Sequence, residues 1–245
     1  MEIKRFFVDN GTKLSVGSSV VVTGDEFVHA VKVSRYKVGY KLILSNGDGV
    51  DYYSVITSIA KNAFSCKVEE SVQNQNELKT RLILYLCAIE RSDLAVQKAT
   101  EIGASEIRLM ISEFTNAKNQ NLDRLRKIAL ESAKQCGRAV VPTIYPPVPY
   151  EEGIKDALTR AEQTIFCYEL ARGAHIGDVM DKKARSYALI VGSEGGFSKE
   201  EVALAESLGA KIVTLGKRIL RAETACIAGL ALLADEAERY ENSGN

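Results

Sequence analysis

The sequence predicts an α/β fold in two parts, a small β-rich amino-terminal domain and a larger domain of alternating strands and helices. Three observations carry this. Up to about residue 70, short runs rich in valine, isoleucine and tyrosine are separated by turn residues. From Leu82 onward, apolar runs alternate with helical patterns. Two glycine-bearing segments, at 192–197 and 215–225, each follow an apolar run and lead into a helix, as in α/β proteins.

In the first part, Val20-Val21-Val22-Thr23 reads as a strand, and Asp25 as the cap of a helix that runs to about Val33 and stops at Val38-Gly39. Lys41-Leu42-Ile43-Leu44 is a strand, Asn46-Gly47-Asp48-Gly49 a hairpin turn, and residues 52–59 and 63–68 are further strands. So small a sheet must close or pair its edges, which predicts a small β-barrel with one helix over residues 1–72. The polar run Ser71-Val72-Gln73-Asn74-Gln75-Asn76-Glu77 reads as the start of a linker, set at 73–80.

The second domain is predicted over residues 81–240. Residues 82–89 form an apolar run suited to a buried strand, and Asp93 then caps a helix ended by Gly103. Residues 107–111 are the next strand. Leu122, Leu125, Ile128, Ala129 and Cys136 line a second helix, ended by Gly137. All prolines fall between Val141 and Tyr150, so that stretch is predicted as a rigid connection. A helix is expected over 151–161, and strands at 164–167, 187–191 and 212–215. A capping box, Ser198-Lys199-Glu200-Glu201, opens a helix that ends near Leu208-Gly209, and residues 223–238 form the last helix. The result is a mostly parallel sheet of about five strands covered by helices.

Composition narrows the function. Lys and Arg (32) balance Asp and Glu (32), so a strongly basic nucleic-acid binder is not indicated, and only a local basic patch is open. No run approaches a transmembrane span, and the start is too soon interrupted for a signal peptide. Five scattered cysteines without a CxxC pair suit a reduced, cytoplasmic protein, and two histidines are too few for a histidine metal cluster. No metal and no membrane partner are expected.

The segment Gly192-Ser193-Glu194-Gly195-Gly196-Phe197 is neither GxGxxG nor a P-loop, and Ser193 is not in a GxSxG setting. It reads as a loop whose glycines let backbone approach a ligand. Its carboxylate, Glu194, either touches ligand, orients the loop or is solvated. Arg218 and Arg221 flank Ile219-Leu220, with Glu223 and Thr224 at the next helix start. An arginine there either grips a phosphate or carboxylate or closes an Arg–Glu pair. Lys118, Arg124, Lys127, Lys134 and Arg138 either track a nucleic-acid backbone or form a solvated helix face. His29 with Arg35, Tyr36 and Lys37, and Arg5 beside Phe6-Phe7, pose the same choice.

Several segments carry a family resemblance. They are His29-Ala30-Val31-Lys32-Val33-Ser34-Arg35, Asn46-Gly47-Asp48-Gly49, Val96-Gln97-Lys98-Ala99-Thr100-Glu101-Ile102-Gly103, Gln135-Cys136-Gly137-Arg138 and the two glycine segments. In this order they resemble the 16S ribosomal RNA uracil-N3 methyltransferases, within the trefoil-knotted SPOUT superfamily. The resemblance spans nearly the whole chain. It implies a PUA-like RNA-binding β-barrel, an α/β domain with a deep trefoil knot, a homodimer, and S-adenosylmethionine as cofactor. By position it implies cofactor binding by Cys167, Tyr168, Glu169, Gly192, Ser193, Glu194, Gly195, Gly196, Leu215, Gly216, Ile219, Leu220 and Arg221. RNA contacts are expected at Arg5, His29, Arg35, Lys118, Arg124, Lys127 and Arg138. This chain departs from the family pattern at Ser193, where proline is usual, and at Ala222, where threonine is usual.

The implied reaction is methyl transfer to N3 of a uridine in the 16S rRNA of the small ribosomal subunit. Arg221 is the expected stabiliser of charge on the base, and Glu194 the expected base or orienter. Two other readings stand beside this one. A knotted methyltransferase acting on a ribose 2′-hydroxyl or a tRNA base would be separated by product nucleoside analysis. A cofactor-free RNA-binding or ribosome-assembly protein would fail to bind S-adenosylmethionine.

Overall fold

The computed structural model describes residues 3–243. The chain forms two compact units, one comprising residues up to Glu77 with Ala133–Val141, the other Leu78–Ser132 with residues from Pro142 onward.

The first unit is built on a five-stranded sheet of β1 (Arg5–Phe7), β2 (Ser19–Val22), β3 (Lys41–Ser45), β4 (Val50–Ile59) and β5 (Phe64–Gln73), in the order β1-β3-β4-β5-β2. Alternation sets its faces: Val20 and Val22 are buried while Val21 is exposed. Between β3 and β4, Gly47 and Gly49 take φ of 90° and 83°, which L side chains rarely adopt. Two register shifts in the β4–β5 ladder help the sheet curl around Phe6, Leu42, Leu44, Ile56 and Phe64. The ladders leave β1 and β2 as edges, so the sheet is a curled half-barrel among the described residues, not the closed barrel expected from its size. The expected single helix is α1 (Gly24–Phe27) followed by a π-helical segment, Val28–Val33. Burial of Phe27 and Ala30 sets its direction, while three valines in the segment crowd an α-helical turn.

The polar run at 73–80 is not a loose tether. Residues up to Gln73 extend β5, and those after it serve the end of α3 (Leu122–Cys136), whose last turn belongs to the first unit. The carbonyl of Gly137 accepts from Arg5 (3.1 Å), Asn74 (3.0 Å) and Asn76 (3.0 Å). Glu77 accepts from the guanidinium of Arg138 and from the N–H groups of Ala139 and Val140 at 2.9–3.0 Å. Carbonyls at a helix C-terminus lack intrahelical partners, and buried amides of the segment leaving the helix need partners too; polar side chains supply both.

This arrangement corrects two expected RNA contacts. Arg5 is buried against Asp51, which also accepts from Asn74, and Arg138 is buried against Glu77. Neither guanidinium faces a surface where RNA could reach it. Lys134 is likewise withdrawn into a pair with Glu26.

The second unit holds a six-stranded sheet of β6 (Arg81–Cys87), β7 (Glu106–Ile111), β8 (Thr143–Pro149), β9 (Gln163–Cys167), β10 (Ser186–Val191) and β11 (Lys211–Val213). The order is β11-β9-β10-β6-β7-β8 and every ladder is parallel. Central β6 is buried along almost its whole length, as a parallel strand covered on both faces requires. The sixth strand is the proline segment. Proline lacks an amide hydrogen but is tolerated at an edge, and Pro146 and Pro147 fall at the register shift where β8 leaves β7.

Helices α2 (Ser92–Ile102), α4 (Tyr150–Arg160), α5 (Ile176–Val179), α6 (Lys199–Ser207) and α7 (Ala222–Ser243) complete the unit with α3. Asp93 lies inside the first turn of α2 rather than at its cap, pairing with Arg124 at 3.0 Å. Gly103 ends α2 with φ of 111° and Ser198 caps α6 through Glu201, as their sequence signals indicate.

An ionic cluster around buried Arg108 ties α4 to the sheet. Arg108 contacts Glu106 at 2.8 Å and Asp156 at 3.0 Å and lies over the ring of Tyr145, while the Tyr85 hydroxyl donates to Asp156 at 2.7 Å. Burial pushes both carboxyls up, but hydrogen bonds from Arg81 and Arg108 to Glu106, and from Tyr85 and Arg160 to Asp156, outweigh it and hold them below the usual range.

Two outcomes follow from this packing. Arg5→Met strands the Asp51 carboxylate, and urea unfolding should report a loss of about 3–5 kcal/mol; wild-type stability would show that the pair contributes nothing net. The depressed carboxyls favour folding above the ordinary carboxylate range, and that contribution is lost as pH falls through their folded values. Stability should therefore decline below about pH 4, less steeply in Asp156→Asn; equal slopes would remove Asp156 as a source.

Candidate active site

The carboxyl ends of β6, β9, β10 and β11 point to one side of the parallel sheet, and the segments that follow them enclose a cavity of about 560 Å³. That is the position at which open α/β sheets bind ligands. Every residue expected from resemblance to hold cofactor lines this cavity: Cys167, Tyr168 and Glu169 after β9, residues 192–196 after β10, and Leu215, Gly216, Ile219, Leu220 and Arg221 after β11.

The loop after β10 owes its shape to close packing. A Cβ on Gly192 would stand 2.9 Å from the ring of Phe197, and one on Gly195 only 2.5 Å from Cβ of Phe114. Gly196 has φ of 72° and carries the Glu169 carboxylate where a side chain would be. Gly196 N–H donates to Ser193 O at 3.0 Å, closing the turn. Behind it Phe197 is buried, 4.4 Å from Phe166 and 5.7 Å from Tyr150 between ring centres. Ser193 is also buried, and its hydroxyl donates to Phe114 O at 3.1 Å, a structural contact rather than a nucleophile's setting.

After β11, the Thr214 hydroxyl donates to Gly216 O and accepts from Gly216 N–H, both at 3.1 Å, fixing a turn in which Gly216 has φ of 108°. Ile219 is 81% exposed. Arg221 is exposed at the mouth of α7 and, among the described residues, has no ionic partner. Its carbonyl accepts the first amide of the helix, from Ala225 at 2.8 Å.

The carboxylates of the cavity differ in their commitments. Glu194 Oε1 accepts from Glu90 N–H at 2.8 Å, joining the β10 and β6 loops. Glu223 is buried in the first turn of α7, 3.8 Å from Arg91. Glu90, Arg91, Leu170, Val191 and Thr214 were not singled out as site residues, though all follow or end strands. The strand-end rule reaches them only once the strand order is known. Burial pushes the Cys167 thiol up to about 12, as it does Cys226, so neither supplies a thiolate at neutral pH.

Of the expected RNA contacts besides Arg5 and Arg138, Arg35, Lys118, Arg124 and Lys127 are exposed, and His29 is half-buried against Phe6. Among the described residues no cluster of His, Cys, Asp or Glu could hold a metal, and no helix is long and apolar enough to cross a membrane.

Comparison with known proteins places this geometry. Residues 74–234 match a family model described as RNA methyltransferase domain, and residues 22–69 one described as RNA methyltransferase PUA domain. The chain is similar to ribosomal RNA small subunit methyltransferase E of Mesomycoplasma hyopneumoniae, 32% identical across 70% of this chain and 77% of that one. The Rickettsia conorii protein of the same name is 29% identical across 94% and 95%. Among solved structures, ribosomal RNA small subunit methyltransferase E from Neisseria gonorrhoeae bound to S-adenosyl methionine is 27% identical, with a TM-score of 0.86 over 96% of this chain and 98% of that one. A Legionella pneumophila methyltransferase in complex with SAM matches at 25% identity, with the same score and coverage.

The glycine loop has a direct test. Gly195→Ala forces its methyl into Phe114 and should lower stability by about 1–3 kcal/mol in thermal unfolding. Gly11→Ala, where an added Cβ meets nothing within 4 Å, is the control. Equal midpoints would mean that the loop is not close-packed.

Proposed function

The chain belongs to the RNA methyltransferase domain family, and we propose that it transfers the methyl group of S-adenosylmethionine to N3 of one uridine in the 16S rRNA of the small ribosomal subunit. The carrying observation is the cavity built from the ends of parallel strands, with glycine backbone forming its walls.

The donor set suits this cofactor. The volume is that of a small-molecule site. Leu215, Ile219 and Leu220 offer apolar surface, the backbone of residues 192–196 and 215–216 offers hydrogen-bonding groups, and Glu169 and Glu194 offer negative charge to a cationic ligand. A Cβ at Gly195 or Gly196 would disturb the cradle. Two similar proteins were solved with this cofactor bound.

The cofactor supplies an electrophilic methyl on a sulfonium. The protein must align the acceptor and handle one proton, because uracil N3 is poorly nucleophilic while it keeps its hydrogen. Arg221, exposed on the cavity wall, stabilises charge developing on the base oxygens. Glu194, engaged by Glu90 N–H, holds the β10 loop against the β6 loop and so orients the site. N3 lies on the Watson–Crick edge, so the target uridine is unpaired or displaced when it reacts. Arg35 and His29 in the first unit and Lys118, Arg124 and Lys127 in the second are the proposed contacts to the RNA backbone.

The reading extends to architecture. The first unit acts as a PUA-like RNA platform. The second carries a deep trefoil knot, a threading suited to the late strand β10 lying between β9 and β6. Two copies form a homodimer, which would cover apolar surface such as Leu232 of α7, and the protein works in the cytoplasm, where its substrate is.

The test is incubation with S-adenosylmethionine and unmodified small subunits, then mass spectrometry of the digested rRNA. A single N3-methyluridine is expected; a 2′-O-methyl product or a mark only on tRNA would replace the proposal. In the same assay Arg221→Ala at saturating cofactor should lower kcat by about 10²–10³-fold, and unchanged turnover would remove its role.

A further inference from the structure

Glu223 has an environment unlike that of buried Asp51 and half-buried Glu77 described above. It is 7% exposed, lies in the first turn of α7 and lines the cavity. Asp51 takes hydrogen bonds from Arg5 and Asn74, and Glu77 from Arg138, Ala139 and Val140. Among the described residues no group donates a hydrogen bond to Glu223. Its contact is an ion pair to Arg91 at 3.8 Å, from a side chain that is 63% exposed. With no donor in the protein, its carboxylate oxygens keep contact with solvent in the cavity, and a carboxylate so placed can accept from a ligand that enters.

An acid in the first turn of a helix is favoured by the helix dipole, which accounts for the residue type but not for its burial without donors. The other acids of the cavity are placed differently. Glu194 is engaged by a backbone amide, while Glu90 and Glu169 are exposed to water. The Arg91 contact, at 3.8 Å, leaves the Glu223 carboxylate able to accept from a donor entering the cavity. Arg221, two residues before it and just ahead of the same helix, also lines the cavity and supplies the complementary cation.

We propose that Glu223 is the proton acceptor of the reaction, taking the hydrogen from uracil N3; this rests on the uracil-N3 reading given above. The N3–H bond breaks and its proton passes to the Glu223 carboxylate. The N3 electron pair forms the new N–CH3 bond, and the S–CH3 bond of the donor breaks with its electrons left on sulfur. Arg221 bears on the negative charge of the base, and Glu223 on its proton.

The experiment compares wild type, Glu223→Gln and Glu223→Asp in single-turnover methyl transfer to unmodified small subunits, with S-adenosylmethionine affinity measured separately by calorimetry. Glu223→Gln is expected to slow transfer by about 10²–10⁴-fold, while its cofactor dissociation constant stays within about two-fold of wild type. Glu223→Asp, which keeps a carboxylate, recovers part of the rate. Subunits containing 5-fluorouridine, whose N3 proton is more acidic, narrow the gap between Glu223→Gln and wild type. An unimpaired Glu223→Gln overturns the inference and leaves the methyltransferase reading standing. Lost cofactor binding would make Glu223 a cofactor ligand, and an undiminished defect on 5-fluorouridine would make its role structural; either result overturns the inference. A wild-type protein that places no methyl on N3 overturns both readings.

Discussion

The loop after β10 can bring backbone to the cavity because Phe197 is buried immediately behind it. Its ring packs at a tilt against Phe166 of β9, near Tyr150 of α4, and so ties the loop to two elements of the core. With the aromatic anchor fixed, residues 192–196 have little room. Gly192 lies against the Phe197 ring and Gly195 against Phe114, so side chains are absent where they would collide. The polar contacts then close over this apolar base: Gly196 N–H to Ser193 O, the Ser193 hydroxyl to Phe114 O, and Glu90 N–H to Glu194. A preorganised wall of this kind lets a ligand bind without first ordering the loop.

Charge is distributed by the same logic of commitment. Arginines with carboxylate partners inside the protein are structural, as Arg5, Arg108 and Arg138 are. Arg221, exposed at the cavity and without an ionic partner, remains available to a substrate. The same distinction separates Glu194, held by an amide, from Glu223, which is buried without a donor. Residue type alone does not separate these cases, because a guanidinium or carboxylate acts on whatever the fold places within a few ångströms.

The polar run after β5 shows what low hydrophobicity can conceal. Asn74, Asn76 and Glu77 read as linker residues, yet they satisfy the carbonyl of Gly137 and the amides of Ala139 and Val140 at the end of α3. Their partners lie some sixty positions away in the chain. The proline segment is the opposite case: local backbone rules disfavour a central strand there, while the open edge of a parallel sheet accepts one.

By itself the sequence determined the local features. It marked the buried strands through their apolar runs, the left-handed turns at Gly47, Gly103 and Gly137, the Ser198 cap, and the two glycine segments at strand ends. Those segments indicated the loops of the cavity because glycine at a strand end constrains backbone within a few residues. Tertiary structure decided what depends on neighbours distant in sequence. It set the strand order that joins Glu90 and Arg91 to the cavity, the sixth strand, the burial of Arg5 and Arg138, and the burial of Glu223 beside the cavity. Periodicity reports which face of an element is apolar, whereas the partner of a charge is fixed only when elements pack and exclude water.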